Sequence, residues 1–305
     1  MNTIRTEGSM SQSLQNVDPS SRIGPGVRVD ARARIGPNCH LVGQIELEQG
    51  VSLVGGITLV GDIHVARDAR IEPGVSIAVM RPGIAVGSTL VKVGAGAHIG
   101  AGVVLSAGVS IGAGAWIEPG AVVSRNIPAY AIVGGNPAVI SGYVEEAGQQ
   151  PRKAPSMLQL GDVPGVHACQ VGGVTVHHFS RIRDLRGDLT VGEFGRNLPF
   201  IPKRYFVVFD VPSFETRGEH AHKVCDQFLV CVAGSVSVVV DDGLRREEIL
   251  LDRPNMGVYI PAGVWGIQYK YSRDGSLLVF ASEYYDPTDY IRNYDDFLRF
   301  RGVQA

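Results

Sequence analysis

Two histidines separated by a single residue, His220 and His222, stand in the run Arg217-Gly218-Glu219-His220-Ala221-His222-Lys223. On an extended strand, residues i and i+2 project from the same face, so both imidazoles would share one surface. Imidazole titrates near neutrality and can take or give a proton at pH 7. Two such rings on one face can divide a reaction that takes a proton from carbon and supplies another to oxygen. The competing roles for such a pair are structural packing and metal ligation.

The pair lies in a stretch rich in strand signals. Tyr205–Phe209, Phe228–Val232, Val236–Val240 and Leu277–Ala281 are runs of Val, Phe and Leu, and Asp241-Asp242-Gly243 reads as a hairpin turn. The run Tyr290–Leu298 reads as a short helix. The layout resembles a cupin barrel (a double-stranded β-helix, or jelly roll), in which a His-x-His pair, a Glu and a late His usually hold a metal. In this chain the Glu position reads Gln227 and the late His position reads Gly266. Gly has no ligating side chain, and two imidazoles fall short of the usual three or four ligands. No metal is therefore expected.

The runs RGEHAHKVCDQFLVCVAGSVSVVVDDG, YIPAGVWGIQYKYS and ASEYYDPTDYIRNYDDF resemble the dTDP-4-keto-6-deoxyglucose 3,4-ketoisomerases of the QdtA, FdtA and WxcM-like type. The resemblance covers roughly residues 160–299. It implies a dimeric barrel that moves a ketone from C4 to C3 of a nucleotide-linked hexose without a cofactor, with His220 and His222 as acid–base residues. Arg217, Arg204 and Lys223 would bind the pyrophosphate, and Arg183 is a further candidate. Glu193 would meet sugar hydroxyls, and Trp265 would stack on sugar or base, a core role being equally open for it. Tyr205 completes the expected substrate-binding set. Phe206 occupies a position where the family often has tyrosine.

The N-terminal half is built differently. Every sixth residue from Ile23 to Ile77 is aliphatic, and the pattern resumes from Val93 to Val123 after a break at Ala78–Lys92. Small or aliphatic residues such as Ala33, Val51 and Ala97 lie two positions earlier, and Gly24, Gly36, Gly94, Gly100 and Gly112 follow the aliphatic. Hexapeptides of this kind form a triangular parallel β-helix with the aliphatic inside and Gly easing the turn. Left-handedness is implied by resemblance to the hexapeptide nucleotide-sugar N-acetyltransferases, which covers about residues 22–144. That resemblance also implies trimers and acetyl-CoA as cofactor of this half. His40, His64 and His98 each precede an interior aliphatic and should point outward; His98, after the break, is the acetyltransferase candidate. Related fused enzymes carry a long Asn-Asp loop at the break, where this chain offers Arg81, Ser88 and Thr89.

The expected organisation is all-β, with a disordered N-terminus at 1–21, the left-handed β-helix at 22–144, a linker at 145–157 and the cupin at 158–305. The 305 residues carry a formal net charge of −2, which gives no general attraction to nucleic acid or anionic membrane. The four cysteines lack C-x-x-C spacing, and neither a signal peptide nor a span of apolar residues is evident. A cytoplasmic enzyme is expected. Trimeric β-helices and dimeric cupins would together give a hexamer.

The leading reading is a dTDP-4-keto-6-deoxyhexose 3,4-ketoisomerase serving synthesis of a 3-amino-3,6-dideoxyhexose. Two alternatives are a bifunctional enzyme mainly acetylating the 3-amino sugar, and a cupin that only binds the sugar nucleotide.

Overall fold

The computed structural model describes residues 16–78, 90–144, 163–212 and 215–303. The chain divides into two compact units, Met1–Pro151 and Arg152–Ala305. The expected linker, and Arg81, Ser88 and Thr89 of the phase break, lie outside the described residues. Secondary structure among the described residues is almost wholly β, the exceptions being one 3-10 turn and one helix, Tyr294–Arg301.

The N-terminal unit is a parallel β-solenoid with three sheets of six, five and seven strands, the last closed by an antiparallel strand, Val139–Tyr143. Each hexapeptide contributes one short strand, and successive coils stack like on like. Leu41 pairs with Leu59, Leu59 with Ile77, and Ile77 with Leu105, so the break leaves the aliphatic column intact. These side chains are buried in the prism, as are Ala33, Val51 and Ala97 beside them. Ile23 and Val29, in the first coil, are only half-buried. The solenoid also begins earlier than expected: Val17 makes a parallel bridge to Ile35, and Asn16 accepts from the Ile35 amide.

The glycines do two different jobs, and the sequence expectation confused them. Gly36, directly after an interior aliphatic, has no positive φ. A Cβ there would lie 2.1 Å from the Val54 carbonyl oxygen of the next coil, so the requirement is close stacking. The left-handed turn backbone falls two residues later in the repeat, as at Gly96 with φ +64°. Asn38 and Asp68 take that turn position in earlier coils with φ +56° and +58°, residues that tolerate this region better than most.

The C-terminal unit packs two antiparallel sheets face to face. One orders its strands Gly165–Ala168, Thr175–His178, Met256–Ile260, Gln227–Ala233, Ser276–Ala281, Arg204–Val208. The other orders Arg246–Leu251, Val236–Asp241, Trp265–Tyr269, Arg217–His222, Tyr290–Ile291. This is the cupin-like sandwich that the resemblance implies. Leu229, Val258 and Val279 from the first sheet meet Val238, Val240 and Ile249 from the second in one core. Inward and outward residues alternate as the pleat requires.

The expected helix over Tyr290–Leu298 is corrected at its start. Tyr290 and Ile291 form an edge strand that pairs with His222 and Ala221. The helix starts only at Tyr294, where the Asn293 side chain accepts from the Asp296 amide, and ends at Gly302 in the left-handed region.

Candidate active site

The strand Arg217–His222 carries a bulge before the histidines. Gly218 pairs with Ile267 and His220 with Gly266, which leaves Glu219 as the extra residue. Gly218 and Glu219 both have positive φ, +81° and +53°. Such bulges re-aim the side chains that follow them. Beyond the bulge the strand is regular, and His220 and His222 line one small cavity with Cys225, Gln227, Ile260, Val264, Gly266 and Gln268.

Each ring is fixed at its Nδ1. His220 Nδ1 donates to the Gly218 carbonyl at 2.9 Å. His222 Nδ1 donates to Asp289 Oδ2 at 2.6 Å. The other oxygen of Asp289 accepts from the Lys223 and Val224 amides at 2.9 and 2.8 Å. The two Nε2 atoms face each other across 3.2 Å, and the Gln227 side-chain amide stands 3.0 Å from His222 Nε2. The Tyr290 ring packs on both imidazoles, with centroids 4.9 and 4.4 Å away.

Burial pushes His220 down to about 4, with Arg292 adding to the effect and Asp289 opposing it. Burial also lowers His222, against the pull of its Asp289 hydrogen bond. For Asp289, burial works upward, but the bonds from His222 and the two amides overcome it and hold the carboxyl below its usual range.

The donor set does not suit the metal that cupins commonly hold. Gly266, opposite His220, supplies no side chain, and Gln227 offers a neutral amide. His222, Cys225 and Asp289 do bring ligand-type atoms within 4.8 Å of one another. There, however, a hydrogen bond from His222 Nδ1 already occupies the Asp289 oxygen. As arranged, the cluster links two imidazoles and a carboxylate by hydrogen bonds.

Of the other sequence candidates, Arg204 is brought to the site. Its guanidinium lies over the rings of Phe206 and Tyr285 at 5.4 and 5.7 Å, its Nε donates to the Glu283 carbonyl, and its charge acts on His222. Lys223 is at the rim, with Nζ donating to the Thr288 carbonyl at 2.7 Å. Arg217 is exposed at the start of the histidine strand.

Four residues are placed elsewhere within the chain. Trp265 faces away from Gly266 and Gln268 and is 5% exposed, packed on Tyr294 and Phe297 of the C-terminal helix. Tyr205 projects from the outer face and is 69% exposed, because the strand turns Phe206 and Val208 inward. Glu193 is exposed and pairs with Arg196. Arg183 lies on the exposed strand Arg181–Asp184.

Sequence reasoning missed Asp289, Tyr290 and Arg292. Arg292 stacks over the Tyr290 ring at 4.3 Å and acts on both histidines. Nothing in residue spacing connects Asp289 with His222; only the run containing it carried a signal.

In the N-terminal unit, His98 stacks on Trp116 with centroids 3.8 Å apart, and its Nε2 lies 3.3 Å from Glu72 Oε1. Burial lowers it, against the Glu72 bond. His64 bonds Glu48 at 2.9 Å, and His40 is exposed.

Comparison with known proteins adds a second line of observation. A family model described as FdtA, WxcM-like, C-terminal matches residues 172–302. The TDP-4-oxo-6-deoxy-alpha-D-glucose-3,4-oxoisomerase of Aneurinibacillus thermoaerophilus is 46% identical over 125 residues, spanning 41% of this chain and 90% of that one. Among solved structures, the sugar 3,4-ketoisomerase QdtA of Thermoanaerobacterium thermosaccharolyticum, in complex with TDP, is 38% identical. That match covers 44% of this chain and 97% of QdtA, with a TM-score of 0.43. A 3,4-ketoisomerase from Helicobacter canadensis is 36% identical over 43% of this chain and 98% of its own, with a TM-score of 0.42.

Proposed function

Because the chain belongs, through its C-terminal unit, to the family of the TDP-4-oxo-6-deoxyglucose 3,4-oxoisomerases, we propose that it moves the ketone of a dTDP-linked 4-keto-6-deoxyhexose from C4 to C3. The observation that carries this reading is the pair of facing imidazoles, His220 and His222, backed by Asp289 inside a cavity. Carbonyl migration needs a proton taken from C3, an enediol, and a proton returned to C4, with hydrogens exchanged at the two oxygens. Two imidazoles suffice for all four transfers. Arg204 and Arg292 supply positive charge beside the pair for a diphosphate, and Lys223 adds to it at the rim.

The reaction is proposed to need no metal, since the donor set is two imidazoles and an amide. Its product would serve synthesis of a 3-amino-3,6-dideoxyhexose. Assembly through the cupin is supported by the apolar outer face of the edge strand, where Tyr205, Val207 and Phe209 are exposed. With trimers through the β-solenoid, the proposed particle is a hexamer.

The test is to incubate the protein with the dTDP-4-keto-6-deoxyhexose and follow the sugar by NMR. Appearance of the 3-keto sugar supports the reading. An unchanged sugar that nevertheless binds would leave only a sugar-nucleotide-binding module.

A second activity, acetyl-CoA-dependent N-acetylation of the 3-amino sugar, is favoured by one observation: Glu72 and Trp116 hold His98, its side chain 19% exposed, in one orientation. Release of free CoA thiol in the presence of the amino sugar, lost in His98→Ala, is the measurement that decides it.

A further inference from the structure

The hairpin turn Asp241-Asp242-Gly243 does more than reverse the chain. Asp241 Oδ2 accepts from Arg246 Nε at 2.7 Å and from Arg246 Nη2 at 2.6 Å. The pair is buried, its side chains 2% and 8% exposed. Charges taken out of water in this way need their remaining hydrogen bonds supplied from within the fold. The Tyr294 hydroxyl supplies two of them. It donates to Asp241 Oδ2 at 2.6 Å and accepts from Arg246 Nη2 at 3.0 Å, since a hydroxyl can do both through one atom.

Tyr294 opens the C-terminal helix. The far end of that helix is tied to the same turn, with Arg301 Nε donating to the Asp242 carbonyl at 3.1 Å. Between the two ties, Trp265 packs on Tyr294 and Phe297. Trp265 in turn pairs with Ala221, the residue between the two histidines. Alternation points Ala221 away from the cavity, so the helix lies behind the histidine strand. Just before the helix runs the segment that meets the histidines from the other side. Asp289 bonds His222, Tyr290 packs on both rings, and the charge of Arg292 acts on both. The edge strand that seats this segment is only two residues long, Tyr290–Ile291. Arg292 and Asn293 are exposed, and Tyr294 is the next side chain held in the barrel.

We propose that Tyr294 is a positioning residue of the site: moored in the Asp241–Arg246 pair, it holds Asp289, Tyr290 and Arg292 against the histidines. Tyr294 does not line the cavity and acts through this segment alone. What it contributes to turnover rests on the ketoisomerase reading above.

Tyr294→Phe is the test, because it removes the hydroxyl and leaves Asp241 and Arg246 bonded to each other. Arg301→Ala releases the other tie and carries the test should Tyr294→Phe not fold. Arg299→Ala, which loses only an exposed bond to Asp296 on the same helix, is the control. Two quantities are measured on the full chain. The first is hydrogen exchange of the His222 Nδ1 proton, followed by nitrogen-15 histidine spectroscopy without substrate. Exchange should be faster by about tenfold or more in Tyr294→Phe, and in Arg301→Ala in the same direction, and unchanged in Arg299→Ala. The second is steady-state turnover at a temperature where each variant is folded. In Tyr294→Phe, kcat should fall by about tenfold or more while KM stays within about twofold. Added to Asp289→Asn, the same change should lower kcat by less than about twofold, because the contact through which it acts has already gone.

An exchange rate equal to that of the parent would overturn the proposal, as would a parental kcat in folded Tyr294→Phe or losses that multiply fully in the double variant. Tyr294 would then do no more than hold the helix. A parent chain that leaves the sugar unchanged defeats the ketoisomerase reading instead, and the exchange rates still decide whether Tyr294 positions the partner of His222.

Discussion

His222 and Asp289, 67 residues apart, meet through a 2.6 Å hydrogen bond from His222 Nδ1 to Asp289 Oδ2. The same carboxylate takes the amides of Lys223 and Val224 with its other oxygen. One side chain thus orients the ring and clamps the chain where the histidine strand ends. The clamp is itself held in place, since Asp286 accepts from the Thr288 amide at the start of the turn bearing Asp289.

The depressed His220 gives stability a direction with pH. Its folded value is pushed by burial to about 4 from 6.5. As pH falls, the unfolded chain binds that proton first. The contribution of His220 is therefore fully present above about pH 6.5 and is lost progressively toward about pH 4. His220→Asn should flatten this part of the curve, read as urea midpoints at the two ends of the window. A midpoint ratio identical in variant and parent would contradict the assignment.

Rebuilding the missing ligands should convert the site. A Cβ at Gly266 would find its nearest atoms at 3.8 Å, ordinary contact distance, so a side chain can begin there without backbone movement. Gln227→Glu with Gly266→His should bind a divalent transition metal retained through dialysis and should lose isomerase turnover. The parent protein should lose no activity in EDTA. Strong inhibition by EDTA, reversed by a divalent ion, would refute the metal-free account.

Trp265→Ala should destabilise the C-terminal unit by about 3–5 kcal/mol, the usual cost of emptying an aromatic core position. The ring packs on Tyr294 and Phe297 and does not line the histidine cavity. At a temperature where the variant is folded, KM should stay within about twofold of the parent. A large rise in KM with little loss of stability would return Trp265 to the substrate.

The hexapeptide pattern was legible because a solenoid repeats one local requirement many times. The position of each aliphatic followed from counting, and so did the outward direction of His98. The histidine pair was legible because its geometry is local. What could not be read were contacts made by folding. Asp289 reaches His222 only after Tyr290 and Ile291 join the edge of the histidine strand. Whether Trp265 and Tyr205 face the histidine cavity was not legible either, because alternation assigns a residue to a face without saying which face lines the cavity. The bulge at Glu219 decides that phase for the histidine strand, and no spacing rule revealed it.

The two glycine roles separate cleanly by mutation. Gly36→Ala would drive a Cβ to 2.1 Å from a backbone oxygen, whereas at Gly96 nothing lies within 4 Å and only the positive φ resists. Gly96→Ala should therefore cost about 1–2 kcal/mol. Gly36→Ala should lower the thermal midpoint of the N-terminal unit distinctly more, since neighbouring coils must separate. Equal midpoints would show that stacking is looser than the geometry implies.

The central claim is that two imidazoles carry the hydrogens between adjacent carbons of a bound keto-sugar. Its most direct test is conversion of the dTDP-4-keto-6-deoxyhexose in D2O by the parent, by His220→Asn, by His222→Asn and by the double variant. The account predicts deuterium in the sugar and a 3-keto product with the parent, turnover lower by about 10²–10⁴ in each single variant, and neither deuterium nor product with both rings replaced. Conversion by the double variant at a rate near that of the parent would contradict it.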